Sequence, residues 1–144
     1  MSTPGYSYDT FRTFVCPPLR WSNIETSDNN FSWTNADAVI DAAYNDGKRI
    51  LFVVSNPPAF HVSTGPYPDG NWPALTRFVD AVMTRYAGKL WAVQWWSNPS
   101  RTSMHAEWAQ GQVRTYRAVK AADPNVLVFL GGFRPSSGNT GVDQ

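Results

Sequence analysis

Cysteine is all but absent from this 144-residue chain, with Cys16 its only member. That excludes an internal disulfide and any cysteine-built zinc site. Charge of one sign is also missing: 12 Lys and Arg stand against 11 Asp and Glu, for a net charge of +1. No basic field exists to draw in nucleic acid or an anionic membrane surface. There is no apolar run of about 18 residues, so no membrane-spanning helix is expected. Residues 1–10 are polar and hold no apolar core of the signal-peptide kind, so the sequence shows no export signal and leaves the compartment open. The two histidines, His61 and His105, have no carboxylate at metal-ligand spacing, and no metal site is expected from them. No nucleophile elbow is present, and Gly131-Gly132 lacks the third glycine and following helix of a phosphate loop. No cofactor is expected.

Aromatic residues are abundant: seven Trp, six Tyr and eight Phe. Buried, they supply large apolar area; exposed in a cleft, they offer stacking surfaces for sugars, bases or partner proteins. Asn30-Phe31-Ser32 fits a glycosylation sequon, a tripeptide that is common by chance.

Along the chain, residues 1–10 read as a leader and 11–16 as a first strand, stopped by Pro17-Pro18. Residues 19–33 hold no sustained period and read as a long loop. Thr34 or Asn35 can cap a helix in which Ala36, Val39, Ile40 and Ala43 fall at helical spacing, with Gly47 as its left-handed stop. The apolar run 50–55 suits a strand covered on both faces. A Gly/Pro-rich loop leads to Pro73, placed for a first helical turn, and Leu75, Phe78, Val79, Val82 and Met83 mark one helix face. Residues 91–97 read as a third strand. A helix follows over 103–122, with Trp108, Val113, Tyr116 and Val119 as its apolar positions, and 126–132 reads as a fourth strand. Strands alternating with helices argue for a parallel sheet whose sites form at the C-terminal strand ends.

Trp21-Ser22-Asn23-Ile24-Glu25, Phe31-Ser32-Trp33 and Asp37 with Asp41 stand in the order W-x-x-I-E, F-x-W, D. Gly47-Lys48-Arg49-Ile50-Leu51 and Pro57-Pro58-Ala59-Phe60 come next, then Trp72, Phe78-Val79 and Arg85-Tyr86-Ala87-Gly88-Lys89, then Ala118-Val119-Lys120-Ala121-Ala122-Asp123-Pro124. This ordered set resembles the front half of retaining (β/α)₈-barrel glycoside hydrolases, the β-xylosidase and α-iduronidase group and related endoglycanases. The resemblance implies an α/β fold, a partial (β/α)₈ barrel of about four parallel strands with alternating helices. The domain would span 11–134, with a flexible tail at 135–144. A full barrel takes about 200 residues or more, so the chain is short by nearly half.

The family's chemistry needs two carboxyl groups about 5–5.5 Å apart. Its acid/base stands in the motif W-N-E-P at the end of the fourth strand. Here that motif reads Trp96-Ser97-Asn98-Pro99, so the resemblance puts Asn98 at the acid/base position and Ser97 at that of the sugar-binding Asn. An amide cannot deliver a proton as a carboxylic acid does. The nucleophile would come from a seventh strand that the chain lacks. No catalytic residue is therefore assigned. Gln94, Trp96, Ser97 and Asn98 are the candidate substrate-binding residues, with Trp21, Phe60 and Tyr67 as candidate stacking surfaces. Alternation along the strand turns Trp95 to the helices and Gln94 with Trp96 to the other side. Glu25 reads as a structural hydrogen-bonding residue and Glu107 as an ordinary acid in a first helical turn.

Two readings stay open at this point. One is a glycoside-hydrolase-like domain that binds carbohydrate and is inactive, or depends on a missing second half for glycosidic bond hydrolysis. The other is a non-catalytic interaction module that self-associates through the open barrel face, as a homo-oligomer or with a complementing half-barrel. Open sheet edges and a bare inner face are the reason for the second.

Overall fold

The computed structural model describes residues 9–13, 16–69, 71–96 and 104–131. In chain order its elements are β1 (Thr10–Arg12), α1 (Trp21–Ile24), β2 (Glu25–Ser27), β3 (Asn30–Phe31), α2 (Thr34–Asn45), β4 (Arg49–Val54), α3 (Trp72–Arg85), β5 (Leu90–Trp95), α4 (His105–Ala122) and β6 (Leu127–Phe129). Short 3-10 turns lie at Pro17–Leu19 and Ala59–His61. The main sheet runs β1-β4-β5-β6, every pairing parallel, with Phe11 opposite Ile50, Val53 opposite Gln94 and Gln94 opposite Phe129. Strand order equals chain order and a helix lies between each pair. This is the expected partial (β/α)₈ barrel.

The unbroken apolar run of β4 is explained by its two covered faces. Ile50, Phe52 and Val54 join the large core under the helices, while Leu51 and Val53 pack with Ala92, Trp91 and Phe129 on the other face. Ile50 pairs with Leu90 but Leu51 pairs with Ala92, so Trp91 is an extra residue in β5 and bulges there. The bare inner face expected of a half barrel is not what these residues show: Leu51, Val53 and Ala92 are all buried.

Helix α3 follows the sequence reading closely. The Asn71 side chain accepts from the Ala74 N–H at its N-terminus, Pro73 sits in the first turn, and Leu75, Phe78, Val79, Val82 and Met83 are buried. Helix α2 starts at Thr34 with Trp33 as its N-cap and no side-chain cap, so neither Thr34 nor Asn35 plays that part. Gly47 takes φ 72 after the helix, as its place required. Arg85 and Lys89 reach across from the α3 side to Asp37 and Asp41 of α2. The Arg85 guanidinium holds the Asp37 carboxyl below its ordinary pKa, against a smaller upward push from burial.

Three sequence expectations are corrected. The stretch read as a long loop, 19–33, holds α1 and the antiparallel hairpin β2–β3. These pieces are too short to show a period, and long-range bonds such as Trp21 N–H to the Ser55 carbonyl fix them. The leader is shorter than read, because Thr10 already pairs with Arg49 in the sheet. In α4, Val113 and Tyr116 are 46% and 51% exposed, while Trp108, Gly111, Thr115, Ala118 and Val119 form the buried stripe. Small residues take the inside because the helix lies directly on Trp95, whose ring occupies the space a Cβ on Gly111 would need.

Thr115 is fully buried and, among the described residues, its hydroxyl has no hydrogen-bond partner. An unpaired buried polar group costs about 1–3 kcal/mol. Thr115→Val keeps the branched shape and removes the hydroxyl, so urea denaturation should show a gain of about 1 kcal/mol. A loss of stability in that variant would mean that the hydroxyl is bonded after all.

Candidate functional site

The strands end in a common mouth. β4 stops at Val54, and Asn56 then adopts φ 54; β5 stops at Trp95, and Trp96 adopts φ 48. Asparagine tolerates this left-handed region, whereas a bulky residue there is an outlier that costs on the order of 1–3 kcal/mol. Surrounding contacts hold Trp96 in place. Its N–H donates to the Val54 carbonyl at 2.9 Å, and its own carbonyl accepts from Gln94 Nε2 at 3.1 Å. Its ring meets Tyr67 edge-on at 5.1 Å. Gln94 is held in turn, since its Oε1 accepts from Arg12 at 3.3 Å. The positive φ breaks the strand alternation at Trp96, while Trp95 points to the helices as expected and donates from Nε1 to the Trp108 carbonyl.

Trp96 forms one wall of a mouth cavity of about 520 Å³, with Ser22, Asn56, Pro57, Ala59, Val62, Gly65 and Pro66 forming the rest. Among the described residues, none that lines it carries a carboxyl group. The cavity offers a hydroxyl, an amide, backbone groups and an indole, which are groups for binding and not for proton transfer. Phe60 stands 51% exposed on the 3-10 turn beside it. Ser97 and Asn98 lie outside the described residues.

Trp21 cannot be a stacking platform, because it is 0% exposed. Its ring stacks on Phe78 at 5.0 Å, with His61 on another side at 5.6 Å. Tyr67 is buried as well, and burial, with a further push from the Glu107 charge, raises its pKa. Both aromatics build the walls and floor behind the mouth.

A buried polar chain, invisible from spacing, sits behind that floor. Glu25, 1% exposed, accepts from Trp21 Nε1 through Oε2 and from the Asn29 N–H through Oε1 at 2.8 Å. His61 Nε2 lies 3.0 Å from the same Oε1, and Asn71 Nδ2 lies 3.2 Å from His61 Nδ1. Asn71 spends its oxygen on capping α3, so its NH₂ faces Nδ1 and the imidazole proton sits on Nε2, donated to Glu25. The structural role expected for Glu25 is confirmed. The spacing argument about His61 missed the carboxylates, because Glu25, 36 positions away, reaches it through the fold. Glu25, Asp28 and His61 form a group whose ligand atoms all lie within 4.8 Å of one another.

Beside the cavity, Asp69 closes the 63–69 loop. It accepts from the backbone N–H groups of Ser63 and Thr64 and from the Thr64 hydroxyl. Burial pushes its pKa up, but the bonds from Thr64 and Ser63 outweigh this and bring it down to about 2. A depressed carboxylate stabilises the fold above its unfolded pKa of 3.8 and loses that contribution as pH falls through about 2. An NMR titration should find Asp69 well below the other exposed carboxylates, and Asp69→Asn should flatten the loss of stability between pH 4 and 2. An ordinary midpoint for Asp69 would contradict the loop geometry.

This sheet defines a fold, the (β/α)₈ barrel represented by half of its staves, and solved glycoside hydrolases share it. The similarity covers 85% of this chain in each of three solved structures. A family 39 glycoside hydrolase from Bacteroides cellulosilyticus superposes with a TM-score of 0.67 at 14% identity, over 25% of its own length. A xylanase from Paenibacillus barcinonensis gives 0.62 at 19% over 42% of its length. A family 10 xylanase from Thermobacillus composti gives 0.58 at 21% over 38% of its length. The chain thus spans less than half the length of the proteins it resembles. No protein-family model matches its sequence.

Proposed function

We propose that the mouth of this half barrel binds a β-linked polysaccharide chain of the xylan type and does not hydrolyse it unaided. The observation that carries the reading is Trp96, held in a left-handed conformation so that its indole walls the mouth cavity. Strained side chains gather at ligand sites, and an indole face suits the C–H face of a pyranose ring. The cavity volume is in the range of small-ligand sites. The likeness to solved xylanases supports the sugar class. Gln94, held by Arg12, bonds the Trp96 carbonyl and fixes that turn, Phe60 adds an exposed ring, and Ser97 and Asn98, next in sequence, are the further sugar contacts of this proposal. Retaining hydrolysis needs two carboxyl groups, and none of the described residues lining this cavity carries one.

Calorimetric titration with xylohexaose tests the proposal. The unmodified chain should bind, Trp96→Ala should bind at least about tenfold more weakly, and xylan should release no reducing ends. Binding that ignores Trp96→Ala, or turnover by the chain alone, would overturn it. The open strand order, with β1 and β6 outermost in the main sheet among the described residues, supports the further reading that a second copy or a complementing half-barrel completes the mouth. A light-scattering mass of a single chain at high concentration would remove the self-association part of that reading.

A further inference from the structure

The geometry points to a divalent-cation site of the zinc type at Glu25, Asp28 and His61, clipping the β2–β3 turn to the segment that follows β4. The three residues bring one imidazole and two carboxylates to one point, the mixed nitrogen and oxygen donor set that zinc accepts. His61 Nε2 lies 3.0 Å from Glu25 Oε1 and 3.8 Å from Asp28 Oδ1. Ligands about 2.0–2.1 Å from a tetrahedral ion stand a little over 3 Å from one another, so the two His61 distances need shifts of only a few tenths of an ångström, and the exposed Asp28 side chain, within 4.8 Å of the others, swings in to close the rest. Glu25 and His61 are almost wholly buried and already oriented, whereas the Asp28 side chain is 68% exposed and gives the ion its path in from solvent. An open fourth position on that side suits water.

Outer contacts fit the same picture. Trp21 Nε1 fixes Glu25 through Oε2, and Oε1, which accepts from the Asn29 N–H, keeps its second lone pair for the ion once His61 gives up its bond there. Asn71 already touches His61 Nδ1, the place where a metal-bound imidazole is usually held by a second residue. When the ion takes Nε2, the imidazole proton moves to Nδ1 and the Asn71 amide turns to present its oxygen. The helix cap on Ala74, a long bond of 3.3 Å, is then given up. Arg77 leaves Asp28 for solvent, from an exposed pair that is easily broken. Three metal–ligand bonds replace these contacts. The ion would tie the floor under Trp21 to the wall that begins at Pro57, and so stiffen the mouth without touching its contents.

Thermal unfolding of the chain after chelator treatment, with and without zinc chloride, tests this. Zinc at about a hundredfold excess over its Kd should raise the midpoint by roughly 5–10 °C. Magnesium, which demands six oxygen ligands, should not. Asp28→Asn changes an exposed side chain and weakens only its exposed pair with Arg77, so it should shift the metal-free midpoint by little more than a degree while losing the rise. Cobalt(II) should give a visible absorption in the unmodified chain that Asp28→Asn abolishes. No rise with zinc, or an equal rise in Asp28→Asn, overturns the site; sugar titration in chelator is unaffected by either result.

Discussion

Replacing Glu25 with alanine is expected to cost about 4 kcal/mol of folding stability, the largest effect of any single change at the polar chain behind the mouth. Three donors end on this carboxylate: Trp21 Nε1, the Asn29 N–H and His61 Nε2. Water cannot replace it, since Glu25 and His61 are both buried. Each buried donor left without its acceptor costs about 1–3 kcal/mol, and local rearrangement relieves part of the sum over three stranded donors. In a chain of this size that lowers the melting midpoint by roughly 10 °C. Glu25→Gln keeps the length and one acceptor oxygen, and about half the loss is expected. Paired urea and thermal denaturation read both variants. A loss below about 1 kcal/mol in the alanine variant would show that the chain of bonds contributes little.

Gly111→Ala should go against helix propensity. In an exposed helix the change would stabilise by up to about 1 kcal/mol. Here the added Cβ would fall within the indole of Trp95, which is fully buried and donates to the Trp108 carbonyl. The ring has no empty space to enter, so α4 must lift from the sheet or the indole must give up its bond. Overpacking of this kind costs about 1–3 kcal/mol, occasionally more, and it outweighs the propensity gain. A net loss of about 2 kcal/mol is expected by denaturation, with weaker near-ultraviolet circular dichroism from a displaced Trp95. A stabilised variant would mean that α4 rides higher over the sheet than described.

These two residues also show how far the sequence could be read. The staves were legible because apolar runs such as 50–55 and the face of α3 carry a period that local physics writes directly. Gly111 was not, because a glycine in a helix looks like a weak point until the neighbouring indole is known, and the same blindness placed Val113 and Tyr116 inside. Glu25 was legible as structural from its place one turn after Trp21. Its meeting with His61 was not, since the two are 36 positions apart and joined only by the fold. Trp21 and Tyr67 looked like ligand surfaces because aromatic type alone does not separate floor from platform. The left-handed turn at Trp96 had no signal at all, being neither glycine nor asparagine.

Equality of strand order and chain order has a consequence for how the molecule comes together and apart. Paired residues are separated by 39 positions between β1 and β4, by 40 or 41 between β4 and β5, and by 35 between β5 and β6. Closure entropy grows only with the logarithm of separation, so the three closures cost nearly the same and none must wait for a remote partner. Cooperativity then passes from neighbour to neighbour, as in a short solenoid. The central pair β4 and β5 shares the deepest packing and is the natural nucleus, with β1 and β6 added last and opening first. Amide protons of Phe52 and Val93 accordingly belong to the slowest-exchanging set in the protein, and those of the outer strands to the fastest among its sheet residues.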